Sequence, residues 1–214
     1  MSAPPPRLTV EAEPLVPYVA PEDYPENLRP ALEAYEARMG FLPNAIKLYA
    51  HRPEILELLI KLNDTIMRGP AGHLDPGLKR RLGALCSRLN GCTYCTAHNC
   101  GTLKTAVDAD AEGWGFSDDD VRELLDADYV PDAEVERACF DYARAASEDP
   151  SNVPPEILDR LALHLTPPQV IELGCLVGFW KMYNTIHDSL NVPLETKLLG
   201  DSGYVDVKRR MGPR

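Results

Sequence analysis

Two cysteines two residues apart, Cys92-Thr93-Tyr94-Cys95, are followed at once by His98, and this is where the chain concentrates reactive side chains. A Cys-x-x-Cys in an intracellular setting points first to redox chemistry and second to metal binding, because the thiolate is both nucleophile and ligand. Asn90-Gly91 reads as the end of one helix, with Gly91 supplying the positive φ of a C-terminal cap. A new helix then begins near Cys92, placing both sulfurs in a first turn whose exposed N–H groups favour thiolate over thiol. Positions 92 and 95 share a helical face, so their sulfurs can close a disulfide with little backbone movement. His98 lies three residues further along that face and is positioned to take the thiol proton. Two plainer readings compete. Buried cysteines are often inert small hydrophobes, and a zinc site is possible with Cys86 or Cys100 as extra ligands. A structural zinc site usually draws on a second closely spaced pair, and no second Cys-x-x-Cys or His-x-x-x-His occurs.

The elements that must hold this motif are helical. Leu78, Leu82, Leu85 and Leu89 recur at helical spacing behind an Asp75-Pro76 start signal. Within that helix, Lys79-Arg80-Arg81 reads as a solvated basic turn unless Arg80 points inward. Thr166-Pro167-Pro168 caps the longest apolar segment, from Gln169 to Leu190, whose face Ile171, Cys175, Phe179, Met182, Ile186 predicts a buried helix. On the same segment Trp180, Asn184 and His187 fall at helical spacing and form, with Tyr94, a candidate substrate pocket. Further helices are expected over Tyr24–Met39, Asn44–Tyr49 and Pro53–Met67, the last with an apolar stripe of Ile55, Leu58, Leu59, Leu62 and Ile66. Others follow the Cys-x-x-Cys helix, which should run to about Asp110: one capped by Ser117, then Asp132–Ala146 and Pro154–Leu165. Cys86, Cys139 and Cys175 read as core. No β-alternation persists, so the fold class is all-α. It reads as one domain over residues 23–200, with a proline-rich arm over 1–22 and a tail over 201–214. A faint echo between Asp75-Pro76…Leu82-Gly83-Ala84-Leu85 and Thr166-Pro167…Leu173-Gly174-Cys175-Leu176 suggests two similar helical units.

Composition narrows the function classes. A net charge of −11 and a pI near 4.9 argue against general affinity for nucleic acid or anionic lipid. No apolar run reaches the length of a membrane span, and the first residues lack the hydrophobic core of a signal peptide. Six cysteines in 214 residues are too few for a disulfide scaffold. The expectation is a cytoplasmic protein with mostly reduced thiols.

Several motifs together carry a family likeness: Gly40-Phe41-Leu42-Pro43-Asn44, Met67-Arg68-Gly69-Pro70, the run from Ser87 through Cys92 and Cys95 to His98, and Leu190-Asn191-Val192-Pro193-Leu194. Over roughly residues 25–200 the chain resembles the AhpD-like alkylhydroperoxidase and carboxymuconolactone decarboxylase superfamily, in particular its peroxidase-related members. The resemblance implies an all-helical fold, a homo-oligomer (dimer, trimer or hexamer) and a redox dithiol. In it Cys95 attacks a hydroperoxide and Cys92 resolves the sulfenic acid to a disulfide. The family's proton relay also uses a glutamate and a second histidine, at positions filled here by Arg80 and Asn99. A guanidinium is no base near neutral pH and an amide has no useful pKa; Arg80 would instead lower the Cys95 pKa by proximity.

The leading expectation is therefore a thiol-dependent oxidoreductase that reduces a peroxide or disulfide, with Cys92, Cys95, His98, Arg80 and Asn99 at the reacting centre. It implies no metal or organic cofactor and an external dithiol or protein electron donor. Two rivals keep the fold. One is a decarboxylase, lyase or isomerase acting on a small organic acid held by Arg80, with His98 or His187 moving the proton. The other is a non-catalytic oligomer whose dithiol senses redox state.

Overall fold

A computed structural model describes residues 13–68, 74–104, 114–195 and 198. Among them are nine α-helices and no strand: α1 (Arg29–Met39), α2 (Asn44–Tyr49), α3 (Pro53–Met67), α4 (Pro76–Leu89), α5 (Thr93–Lys104), α6 (Asp118–Leu124), α7 (Glu134–Glu148), α8 (Pro155–His164) and α9 (Pro167–Ser189). The expected all-α class is the observed one. The expected continuation of the Cys-x-x-Cys helix to Asp110, the loop over 69–73, residues 1–12 of the arm and the tail over 201–214 lie outside the described residues.

Helix α4 is the hub, packing against α5, α7 and α9. Its start is set by Asp75, whose carboxylate accepts the Leu78 N–H at 2.8 Å, with Pro76 in the first turn where no N–H is needed. Ten of its fourteen residues are buried, including Lys79 and Arg80. Lys79 is fully enclosed and its Nζ meets Glu172 of α9 at 2.9 Å; the same carboxylate accepts the Leu74 N–H at 2.8 Å. Arg81 holds Glu136 of α7 through two bonds, 2.7 and 2.5 Å. Lys79-Arg80-Arg81 is thus an inward-facing cationic turn that ties three helices together, and the solvated-turn reading is set aside.

Helix α9 opens on a reciprocal cap between Thr166 and Gln169. It buries Leu173, Leu176, Val177, Phe179, Trp180, Asn184 and His187. This face is turned from the expected one: Phe179 is shared, but Ile171 is 69% exposed and Cys175 is exposed, which also removes Cys175 from the core. With small and apolar residues all round, the helix carried no polar face to fix its orientation. The same correction applies to α3. Leu56, Leu59, Ile66 and Met67 go inside, while Ile55, Leu58 and Leu62 stay at the surface. Only one side of α3 meets α4 and α9, and its apolar stripe is wider than that side.

A second, smaller core of Leu28, Leu32, Leu42, Ile46, Ala50 and Leu56 seats α1 and α2 beside the main one. The described part of the arm is held along the body, with the Leu15 N–H donating to Leu190 and the Val19 N–H to Lys47 at 3.0 and 3.2 Å. Among the described residues, no helix is long and apolar enough to cross a membrane.

Candidate active site

The turn between α4 and α5 builds the centre. Gly91 adopts φ 76°, which lets the chain reverse so that the Cys92 N–H reaches back to the Ser87 carbonyl at 2.9 Å. Cys92 then stands as the N-cap of α5: its carbonyl accepts the Thr96 N–H at 3.1 Å and its Sγ accepts the Cys95 N–H at 3.4 Å. Cys95 sits in the first turn and its side chain forms part of the wall of a cavity of about 410 Å³, a size suited to a small organic molecule. Cys92 is fully buried and does not line that cavity.

The imidazole beside the cavity-facing sulfur comes from α9. Cys95 Sγ lies 2.9 Å from His187 Nδ1, and His187 Nε2 lies 2.6 Å from the Tyr49 hydroxyl. The ring is boxed by Tyr49, Tyr94 and Tyr183, with centroid separations of 5.8, 4.8 and 5.4 Å. Burial pushes the Cys95 thiol up, but the Cys92 thiol and His187, helped by the Asn184 amide, outweigh it and hold Cys95 well below the ordinary cysteine value. Burial and the Cys95 charge push Cys92 well up. Burial likewise raises Cys86 to about 11 and Cys100 and Cys139 to about 12. Cys95 is the one thiol whose surroundings favour the anion among these five.

His98 is on α5, where its spacing put it, yet it is turned to a different partner. Its Nε2 meets Glu195 at 2.7 Å. Glu195, from the segment after α9, also accepts the Tyr94 hydroxyl at 2.8 Å and the Asn44 N–H at 2.6 Å. Burial raises this carboxyl, but His98 and the Asn44 N–H hold it below the usual carboxylate range. Asn99 caps inward, donating to the Cys95 carbonyl at 3.0 Å and accepting from Arg80 Nη1 at 3.3 Å. Arg80 lines the cavity and Asn99 lies behind its wall. Asn184 links Asn90 (2.9 Å) to Ser87 (3.2 Å), bracing the turn under the dithiol. Trp180 lines the cavity with a buried Nε1 that has no hydrogen-bond partner among the described residues. Its indole is admitted by Gly83, where a Cβ would come within 2.7 Å of it.

The structure therefore brings together Cys92, Cys95, His187, Tyr94, Trp180 and Arg80, with His98 on the cavity wall, and sets Asn99 and Asn184 behind them as supports. Tyr49 and Glu195 were not foreseen. Nothing local marks Tyr49; Glu195 stands out only as an acid directly after the apolar Val192-Pro193-Leu194. The Cys92 and Cys95 sulfurs and a His187 nitrogen lie within 4.8 Å of one another, close enough to share a thiophilic metal ion, with a fourth position left to another donor.

No protein-family model and no curated protein sequence matches the chain. Solved structures do match. The debrominase Bmp8 is 21% identical, with 89% of this chain and 96% of that one covered at a TM-score of 0.69. An uncharacterised peroxidase-related protein from Silicibacter sp. TM1040 is 18% identical over 92% and 97%, at 0.73. A peroxidase-related protein with an alkylhydroperoxidase AhpD core, from Ralstonia eutropha JMP134, is 20% identical over 87% and 96%, at 0.67. The chain has the AhpD-like fold.

Proposed function

We propose that this AhpD-fold chain is a thiol-dependent reductase acting on a hydroperoxide, or on a disulfide, with an apolar organic body. The observation that carries this reading is the placement of Cys95: its sulfur is on the cavity wall, 2.9 Å from His187 Nδ1, with Cys92 directly behind it. His187 takes the Cys95 proton and Tyr49 holds the ring in place. The Cys95 thiolate attacks the terminal peroxide oxygen, the O–O bond breaks, and the products are an alcohol and Cys95 sulfenic acid. The Cys92 thiol then displaces water to give the disulfide. An external dithiol or protein donor returns two electrons and two protons. The role expected for His98 as base to Cys95 passes to His187. Cavity walls from Phe41, Leu56, Leu59 and Ile60 receive the organic body. Assembly as a homo-oligomer and a cytoplasmic location accompany this reading.

The fold shared with a debrominase, one of whose structures holds 2,3,4-tribromopyrrole, favours a second reading. The same dithiol would reduce a carbon–halogen bond of an aromatic substrate to carbon–hydrogen, releasing halide and closing the same disulfide.

Both are tested by intact mass and peptide mapping after a slight excess of cumene hydroperoxide. The expected result is loss of two hydrogens across Cys92 and Cys95 with one alcohol formed per disulfide. Cys95→Ser abolishes it, and Cys92→Ser stops at a sulfenic acid that dimedone traps. Free thiols with no alcohol formed would overturn the peroxide reading, and halide release from a bromopyrrole would then support the second.

A further inference from the structure

Resting on the peroxide reading, we propose that His98 is a second catalytic residue, the acid that protonates the departing oxygen, with Glu195 positioning it. When Cys95 attacks a hydroperoxide, the electron pair of the O–O bond leaves on the organic oxygen. An alkoxide is a poor leaving group and needs a proton as it departs.

His187 is badly placed to give it. Both of its ring nitrogens are engaged, Nδ1 at Cys95 and Nε2 at Tyr49. His98 differs. Its Nε2 is committed to Glu195, while its Nδ1 has no hydrogen-bond partner among the described residues, and the ring lines the cavity that Cys95 faces. The two imidazoles pack against the same Tyr94 ring, with centroids at 4.4 and 4.8 Å, so they flank the approach to the sulfur. Glu195 plays the orienting part that carboxylates play behind catalytic imidazoles: it fixes the ring and supports its positive charge. It is itself fixed by Tyr94 and Asn44. Proton balance closes: the His98 imidazolium gives its Nδ1 proton to the alkoxide, yielding alcohol, and regains one from solvent, while His187 returns to solvent the proton it took from Cys95.

The test varies the leaving group. Rates of Cys95 oxidation are measured in wild type, His98→Gln and Glu195→Gln with cumene hydroperoxide, whose alkoxide needs a proton, and with peroxyacetic acid, whose carboxylate leaves unaided. Iodoacetamide alkylation, which expels iodide, reads the sulfur alone. The expected result is a loss of roughly 100-fold or more on cumene hydroperoxide in His98→Gln. The same variant should keep peroxyacid and alkylation rates within about threefold, inside the ordinary spread for a group that does not touch the sulfur. Glu195→Gln should show the same pattern at smaller size. Equal losses on both peroxides, in either variant, would overturn the role of His98 while leaving the peroxide reading intact. A wild type that reduces neither peroxide would overturn both.

Discussion

Replacing His187 by Gln should move the ionisation of Cys95 upward, and the geometry sets the scale. At 2.9 Å His187 is one of the groups that hold the Cys95 thiol well below the ordinary cysteine value, and a Gln amide carries no charge to replace it. The assay is the second-order rate of Cys95 alkylation by iodoacetamide from acid to alkaline pH. In His187→Gln the midpoint should rise, so the rate below both midpoints falls roughly ten- to thousand-fold, the range that loss of an opposite-charge neighbour spans. Because a more basic thiolate is the better nucleophile, the alkaline plateau should climb by about threefold per unit. A collapsed site would lower the plateau instead. Stability follows with a definite sign. A depressed thiol pKa contributes stability that is fully present above the unfolded value of about 8.5 and is lost as pH falls toward the folded value. The rise of wild-type Tm across that window should flatten in His187→Gln. An unchanged alkylation midpoint, or a reactive thiol that maps to Cys92, would refute the argument.

Tyr49→Phe should produce a smaller upward shift of the same midpoint, since it removes only the hydroxyl that meets His187 Nε2 at 2.6 Å; no shift would mean the hydroxyl does not hold the ring against the sulfur. Gly83→Ala places a methyl against the Trp180 indole and should cost about 1–3 kcal/mol in urea unfolding, with a changed indole emission. Lys79→Met removes the ammonium that meets the buried Glu172 carboxylate and should cost about 3–5 kcal/mol, whereas Lys79→Met with Glu172→Leu should recover much of it, less the bond from Leu74. A double variant as unstable as the single one would refute the ion-pair account.

What the sequence made legible was local. Cys92, Cys95 and the turn that presents them lie within one helical start, so spacing alone placed the sulfurs together. Asp75, Ser117 and Thr166 announced their helices because capping is a contact between neighbours in the chain. The partner of the sulfur was another matter. His187 is 92 residues from Cys95 and Glu195 is 97 from His98, and which imidazole serves which group depends on how α9 packs across α5. His98 had the right spacing and the wrong neighbour. The orientations of α3 and α9 failed for a related reason, since each offers more apolar surface than its contacts can cover. Arg80 was read as a group beside Cys95; it lines the same cavity, and its described bond runs to Asn99, which in turn holds the Cys95 carbonyl.

Cys92 closes the first turn of α5 with its sulfur, accepting the Cys95 amide. That gives the backbone a stake in the electron count. Once the sulfurs join, the lone pairs that met the amide belong to a bonded, less basic atom, and the helix start loses part of its anchor. The amide of Cys95 then becomes a built-in gauge: its proton should exchange with solvent faster in the oxidised chain than in the reduced one. On the proposed peroxide reading, the electron donor would meet a helix end that is looser when there is work to do, and firmer once the electrons have been delivered.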